Sequence, residues 1–214
     1  MKRLRSVFFA LAAVSWGLSP AWAVRSEVKQ LQDQWAEIKY RQPVERQEML
    51  FGQLAQSAEK TLQALPNDAE TLIWHGIIEG SYAGAKGGLG ALGIVKSAKA
   101  SLEKALDRDP NALDGSAYTS LGSLYYQVPG WPIGFGDDKK AEEFLKKGLA
   151  VNPHGIDSNY FYGDFLFRKG QFSQSREYLQ KALAAPDRPG RAVADEGRRQ
   201  EIQKLLTQIA QKVQ

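Results

Sequence analysis

The chain has 214 residues and no cysteine, and its 28 Lys and Arg against 24 Asp and Glu give a formal charge of +4. The missing cysteine excludes disulfides, thiolate metal sites, a cysteine nucleophile and a lipid-modified cysteine, so the core must hold the fold alone. Three of the basic residues, Lys2, Arg3 and Arg5, fall in a segment that reads as a signal peptide, and the nearly neutral remainder excludes the basic footprint of a nucleic-acid-binding protein.

In chain order, Lys2, Arg3 and Arg5 open a positive n-region, residues 6–18 form an apolar run, and Pro20 breaks it before Ala21-Trp22-Ala23. Small residues flanking one position are the mark of a cleavage site, so residues 1–23 read as a cleavable signal peptide. The run is too short to span a bilayer, which needs about 20 apolar residues. A periplasmic product beginning at Val24, with no stable membrane insertion, is expected. The rest, 24–214, reads as one helical domain.

Val28, Leu31, Trp35 and Ile38 mark a first apolar stripe ahead of Pro43. A second pattern then recurs. Ala98, Leu102, Ala105 and Pro110 have the same spacing as Ala141, Leu145, Gly148 and Pro153. Ser175, Leu179, Ala182 and Pro186 follow it with the proline one residue early, and Ala58, Leu62, Leu65 and Pro66 form a shortened copy. Steps of four and three put these side chains on one helical stripe, and proline stops the helix. Upstream of each lies a partner helix: Leu72, His75, Gly76 and Glu79; Tyr118, Leu121, Gly122 and Tyr125; Asn159, Tyr162, Gly163 and Leu166. The paired segments run over about 27–66, 68–110, 112–153 and 156–186. Ile202, Leu205, Leu206, Ile209 and Val213 give a final helix over 191–213, placed to cap a stack of repeats. The fold class is therefore all-α, a solenoid of helical hairpins.

The last pair, from Asn159 to Pro186, resembles the tetratricopeptide repeat (TPR), with Gly163 at the close-packing position of the first helix and Gly170 in the turn. The two pairs before it are longer between the helices. The extra residues are 80–93, rich in glycine, and 128–136, which hold Trp131, Ile133 and Phe135. TPR geometry implies a concave face lined by first-helix positions. These are Glu70, Trp74, Ile77 and Ser81, then Thr119, Ser123 and Tyr126, then Tyr160, Phe161, Asp164, Phe167 and Arg168. Aromatic groups dominate this list, which suits a protein partner. Trp74, Ile77, Tyr126, Tyr160, Phe161, Asp164, Phe167 and Arg168 are the expected binding residues. Trp131 either closes over them or plugs the neighbouring repeat.

A closer resemblance rests on the G-A-K-G-G-L-G-A-L run from Gly84, the L-Y-Y-Q-V-P-G-W-P-I-G-F-G-D-D-K-K-A run from Leu124, and the A-A-P-D-R-P-G-R tail followed by D-E-G-R-R-Q-E-I. Together they look like the T-component family associated with TRAP transporters. That resemblance implies a periplasmic TPR protein that partners the solute-binding protein of the transporter and forms trimers.

Other chemistries are weakly marked. Lys86 among glycines lacks the G-x-x-x-x-G-K-[ST] order of a phosphate loop. His75 and Glu79, four apart on one helix, have metal-chelating spacing without a visible third ligand, and they are the only basis for a metal-dependent enzyme. Asp137 and Asp138 fit a helix start. No catalytic residue, metal or cofactor is assigned. The expected function is binding of a protein partner, with a small apolar ligand as the alternative.

Overall fold

The computed structural model describes residues 21–212, with side chains from residue 26. The charged and apolar parts of the expected signal peptide and Val213 lie outside the described residues. Among the described residues, nine helices follow in order: α1 (Ala21–Arg41), α2 (Val44–Ala64), α3 (Ala69–Lys86), α4 (Ala91–Arg108), α5 (Ala112–Gln127), α6 (Asp138–Val151), α7 (Ile156–Arg168), α8 (Phe172–Leu183) and α9 (Ala192–Lys212).

Local chemistry sets the ends. Leu65, Asp109 and Asn152 each precede a proline and leave the helical region, with ψ of 60°, 103° and 77°. The proline ring disfavours helical geometry in the residue before it, so α2, α4 and α6 stop there. Asp68 accepts a hydrogen bond from Thr71 N, and Asp137 accepts from Lys139 N and Lys140 N, each satisfying amides left orphaned at a helix start. The first turn of α5 is irregular: Leu113, Asp114 and Gly115 are left-handed, with φ of 48°, 56° and 74°.

The last three hairpins each close on one glycine and one leucine. A Cβ at Gly76 would lie 2.6 Å from Leu102 Cγ, one at Gly122 2.6 Å from Leu145 Cγ, and one at Gly163 2.9 Å from Leu179 Cγ. The three leucines are buried, as are the small residues one turn before them, Ala98, Ala141 and Ser175. Ser175 stays in this apolar seam because its Oγ donates to the Gly163 carbonyl at 2.7 Å.

The two lengthened connections differ. The glycine-rich stretch over 80–93 is expected as an interhelix loop, but most of it is helix. α3 and α4 run to 18 residues each, against 13 and 12 in α7 and α8. Only a short turn remains, at Gly87 and Gly88, with φ of 64° and 62°. The loop over 128–137 is an irregular but hydrogen-bonded turn. Gly136 N donates to Pro129 O at 2.9 Å, Gly134 N to Gly130 O at 3.1 Å, and Asp137 N to Tyr125 O at 2.9 Å. Phe135 anchors it edge-on against Tyr125, whose other face stacks on Phe144, both at 5.5 Å.

The helices form two layers. α2, α4, α6 and α8 lie outside, and each packs on the inner helices before and after it. The inner helices touch in sequence, α1 to α3, α3 to α5, α5 to α7 and α7 to α9, and α9 returns to α1. The solenoid therefore closes into a ring of five inner helices. The hairpin turns after α1, α3, α5 and α7 share one end of that ring, as contacts Glu48 to Lys86 and Asp138 to Lys169 require.

Candidate binding face

The inner face carries the aromatic side chains that TPR geometry implies, but the terminal helices cover many of them. Trp74 is only 4% exposed. Trp35 of α1 meets it edge-on at 5.9 Å, and the Arg191 guanidinium lies 5.0 Å over its ring. Trp35 is pinned in turn by its Nε1, which donates to Ser81 Oγ at 2.8 Å. Trp74 is thus a core residue in this structure and not a free groove anchor.

Tyr160 and Phe161 face α9. The Arg198 guanidinium sits 4.2 Å over the Tyr160 ring and 4.7 Å over Phe161. Arg198 is itself buried, and its Nε donates to Asp157 at 2.8 Å while its Nη1 donates to Glu201. Arg188 reaches Asp157 as well, at 2.7 Å, and pairs with Asp195. Burial alone would raise the Asp157 pKa, but the Arg198 and Arg188 guanidinium groups hold it well below the usual carboxylate range. α1 completes the seam: Tyr40 donates to Glu201 at 3.2 Å, and Arg41 pairs with Glu196 at 2.6 Å. Phe167 turns away from the ring interior, packing on Phe172 at 5.6 Å near Leu205 and Leu206.

What stays accessible is the mouth of the ring at the end of the hairpin turns. Tyr126 donates to Asp164 Oδ2 at 2.7 Å, Arg168 Nε donates to the same oxygen at 3.2 Å, and the guanidinium lies 5.1 Å over the Tyr126 ring. Burial first, and then the Asp164 charge, raise the Tyr126 pKa well above its ordinary value, so the phenol remains a donor. The Arg168 side chain is 52% exposed. Elsewhere on the inner wall, Ile77 of α3 is half-buried and Phe161 lies under Arg198. Trp131 neither covers this mouth nor plugs a repeat: it stands 91% exposed on its own turn. The loop's plug is Phe135.

The other marked residues have structural partners. His75 is buried with Nδ1 2.9 Å from Ser101 Oγ and Nε2 3.1 Å from Glu59 Oε2, while Glu79 is 3.5 Å from Nδ1. The two carboxylates address opposite sides of one imidazole, so they do not converge on a metal position. Among the described residues no group of three His, Cys, Asp or Glu is arranged for a metal ion. Lys86 reaches Glu48 at 3.3 Å instead of a phosphate cradle. A cleft of about 630 Å³ beside α2 and α3 is lined by Glu45, Glu48, Glu59 and Glu79 together with Met49 and Tyr82. Its four carboxylates do not suit an apolar ligand.

The closure by α1 and α9 is not foreseen by the repeat pattern, although Gly197 gives a signal. A Cβ there would overlap the Tyr40 ring, so this mid-helix glycine marks the close approach of another helix.

Comparison with known proteins agrees with this architecture. Residues 156–186, which span α7 and α8, match the tetratricopeptide repeat family. A thermophilic TPR protein of Thermus thermophilus superposes with a TM-score of 0.61 at 20% identity, over 89% of this chain and 82% of that one. A crystal structure of MamA gives a TM-score of 0.44 at 21% identity, over 87% of this chain and 92% of that one. No curated protein matches the chain in sequence. The fold is a TPR-type helical-hairpin solenoid.

Proposed function

We propose that this chain is an exported TPR scaffold that holds a protein partner at the mouth of its inner face. The observation that carries this reading is the exposed Arg168 guanidinium, stacked on Tyr126 and oriented by Asp164. An arginine held over an aromatic ring is a preorganised anchor of the kind that dominates protein interfaces. Trp74, Tyr160 and Phe167 serve the face from within by fixing α3 and α7. The T-component resemblance supplies the partner class, a periplasmic solute-binding protein of a TRAP-type transporter, and a trimeric state. The Ala21-Trp22-Ala23 site supplies the route, with cleavage after Ala23.

The test is photo-crosslinking in the producing cell, with benzoylphenylalanine at position 127, exposed beside the Tyr126 hydroxyl, and, as a control, at position 147 on the outer layer. A discrete protein adduct should form from 127 and not from 147, on a chain that starts at Val24. Arg168→Ala should weaken the purified pair by about 2 kcal/mol without lowering the melting temperature. Adducts only from position 147 would move the partner to the outer layer.

A further inference from the structure

Among the described residues, the exposed large hydrophobic side chains are Val44, Met49, Leu89, Trp131 and Ile133. They come from three different hairpins, yet all five lie at one end of the ring. Val44 and Met49 open α2, Leu89 tips the turn between α3 and α4, and Trp131 and Ile133 tip the turn between α5 and α6. Glu48 reaching Lys86 brings the first two of these sites together, and Lys99, midway along α4, lies 5.7 Å over Phe135, so the third turn sits on the same side but lower on the stack. The turns at the opposite end, around Asp68, Asp109, His154 and Asp187, carry no exposed large hydrophobic among the described residues.

These tips are built and not frayed. The turn under Trp131 is held by the Gly136 to Pro129 and Asp137 to Tyr125 hydrogen bonds and by Phe135 packed edge-on against Tyr125, so displaying Trp131 costs little further ordering. Charge around the tips is mixed, with its lysine excess at the Trp131 turn. Arg46 follows Val44, and Lys139 and Lys140 follow the Trp131 turn, all exposed. Of the acids there, Glu48 pairs with Lys86, Asp138 pairs with Lys169, Asp137 caps α6 and keeps its charge, and Glu45 belongs to the acidic cleft beside Met49, so the positive excess is confined to the Trp131 turn.

We infer that this sector of the rim seats the protein peripherally on an anionic lipid surface, with Trp131 and Ile133 as its main anchors. Tryptophan favours the boundary between headgroups and acyl chains, and flanking lysines add attraction to anionic lipid. Separate tips on separate turns suit a fluid surface that admits each one independently, whereas a pocket on a folded partner would call for one contiguous knob. Among the described residues no helix is long and apolar enough to cross a membrane, so the contact is superficial. This inference goes beyond the proposed partner binding and does not rest on it.

The test is co-sedimentation of the full chain with vesicles of equimolar phosphatidylglycerol and phosphatidylethanolamine, and with phosphatidylcholine vesicles as the uncharged control. The wild type should partition onto the anionic vesicles. Trp131→Ser combined with Ile133→Ser should weaken that partition about tenfold or more with unchanged melting, because both side chains are exposed. Lys139→Glu with Lys140→Glu should remove the preference for anionic over uncharged vesicles. All variants share the same N-terminal residues, so the differences report the tips alone. Equal partition by wild type and the Trp131/Ile133 variant would overturn the inference. So would loss of a protein adduct from that variant with vesicle binding intact, which would assign the tips to a protein.

Discussion

Arg198 shows how a single side chain can decide whether a groove is open. It lies between the Tyr160 and Phe161 rings and neutralises Asp157 and Glu201 in a place where neither carboxylate is fully solvated. Arg198→Met should destabilise the protein by about 1.5–3 kcal/mol in urea unfolding, because it removes charge-assisted hydrogen bonds to Asp157 and Glu201 while Arg188 and Lys39 still face those carboxylates. Asp157 adds a pH dependence. Its pKa is depressed in the folded state, so its stabilisation is present above the unfolded value of about 4 and is lost as pH falls toward the folded value. Asp157→Asn should therefore flatten the acid limb of a stability profile relative to the wild type. The glycines opposite Leu102, Leu145 and Leu179 were legible in sequence, because a glycine and a leucine repeat at matched positions. Arg198 was not, because a charged residue on a terminal helix reads as solvated surface until the fold brings α1 and α9 together.

At the scale of elements, the hairpins with proline stops were readable and the glycine-rich connection was not. Residues 80–93 are read as a loop because glycine weakens a helix by about 1 kcal/mol per residue relative to alanine. The helix persists because its other residues are held: Ala83 is buried, and the Tyr82 ring packs over Gly52 of α2, 3.3 Å from where a Cβ would lie there. Two alanine substitutions separate packing from propensity. A Cβ at Gly84 would meet nothing within 4 Å, so Gly84→Ala should stabilise by about 0.5–1 kcal/mol. A Cβ at Gly122 would press on Leu145 and approach its backbone N at 3.0 Å, so Gly122→Ala should cost about 1–3 kcal/mol. Chemical denaturation of the two variants should move the midpoint in opposite directions.

For the molecule as a whole, the sequence led to a solenoid with a concave aromatic groove, and the structure closes that solenoid into a ring. TPR spacing describes how one hairpin meets the next and is silent about whether the ends of the stack meet. Closure follows from contacts distant in sequence, such as Trp35 with Trp74 and Tyr40 with Glu201, which no repeat pattern encodes. It also relocates the proposed binding face. With Trp74, Tyr160 and Phe161 engaged by α1 and α9, the proposed contact moves to Tyr126 and Arg168 at the mouth. The most direct measurement is the distance between α1 and α9 in solution. The chain has no cysteine to compete, so Glu37→Cys with Gln200→Cys allows two spin labels to be placed for pulsed dipolar spectroscopy. A closed ring should give one narrow, short distance, as for packed helices whose axes lie about 10 Å apart, and it should not change when the crosslinked partner is added back. A broad, long distribution would contradict closure and return the whole aromatic groove to the partner.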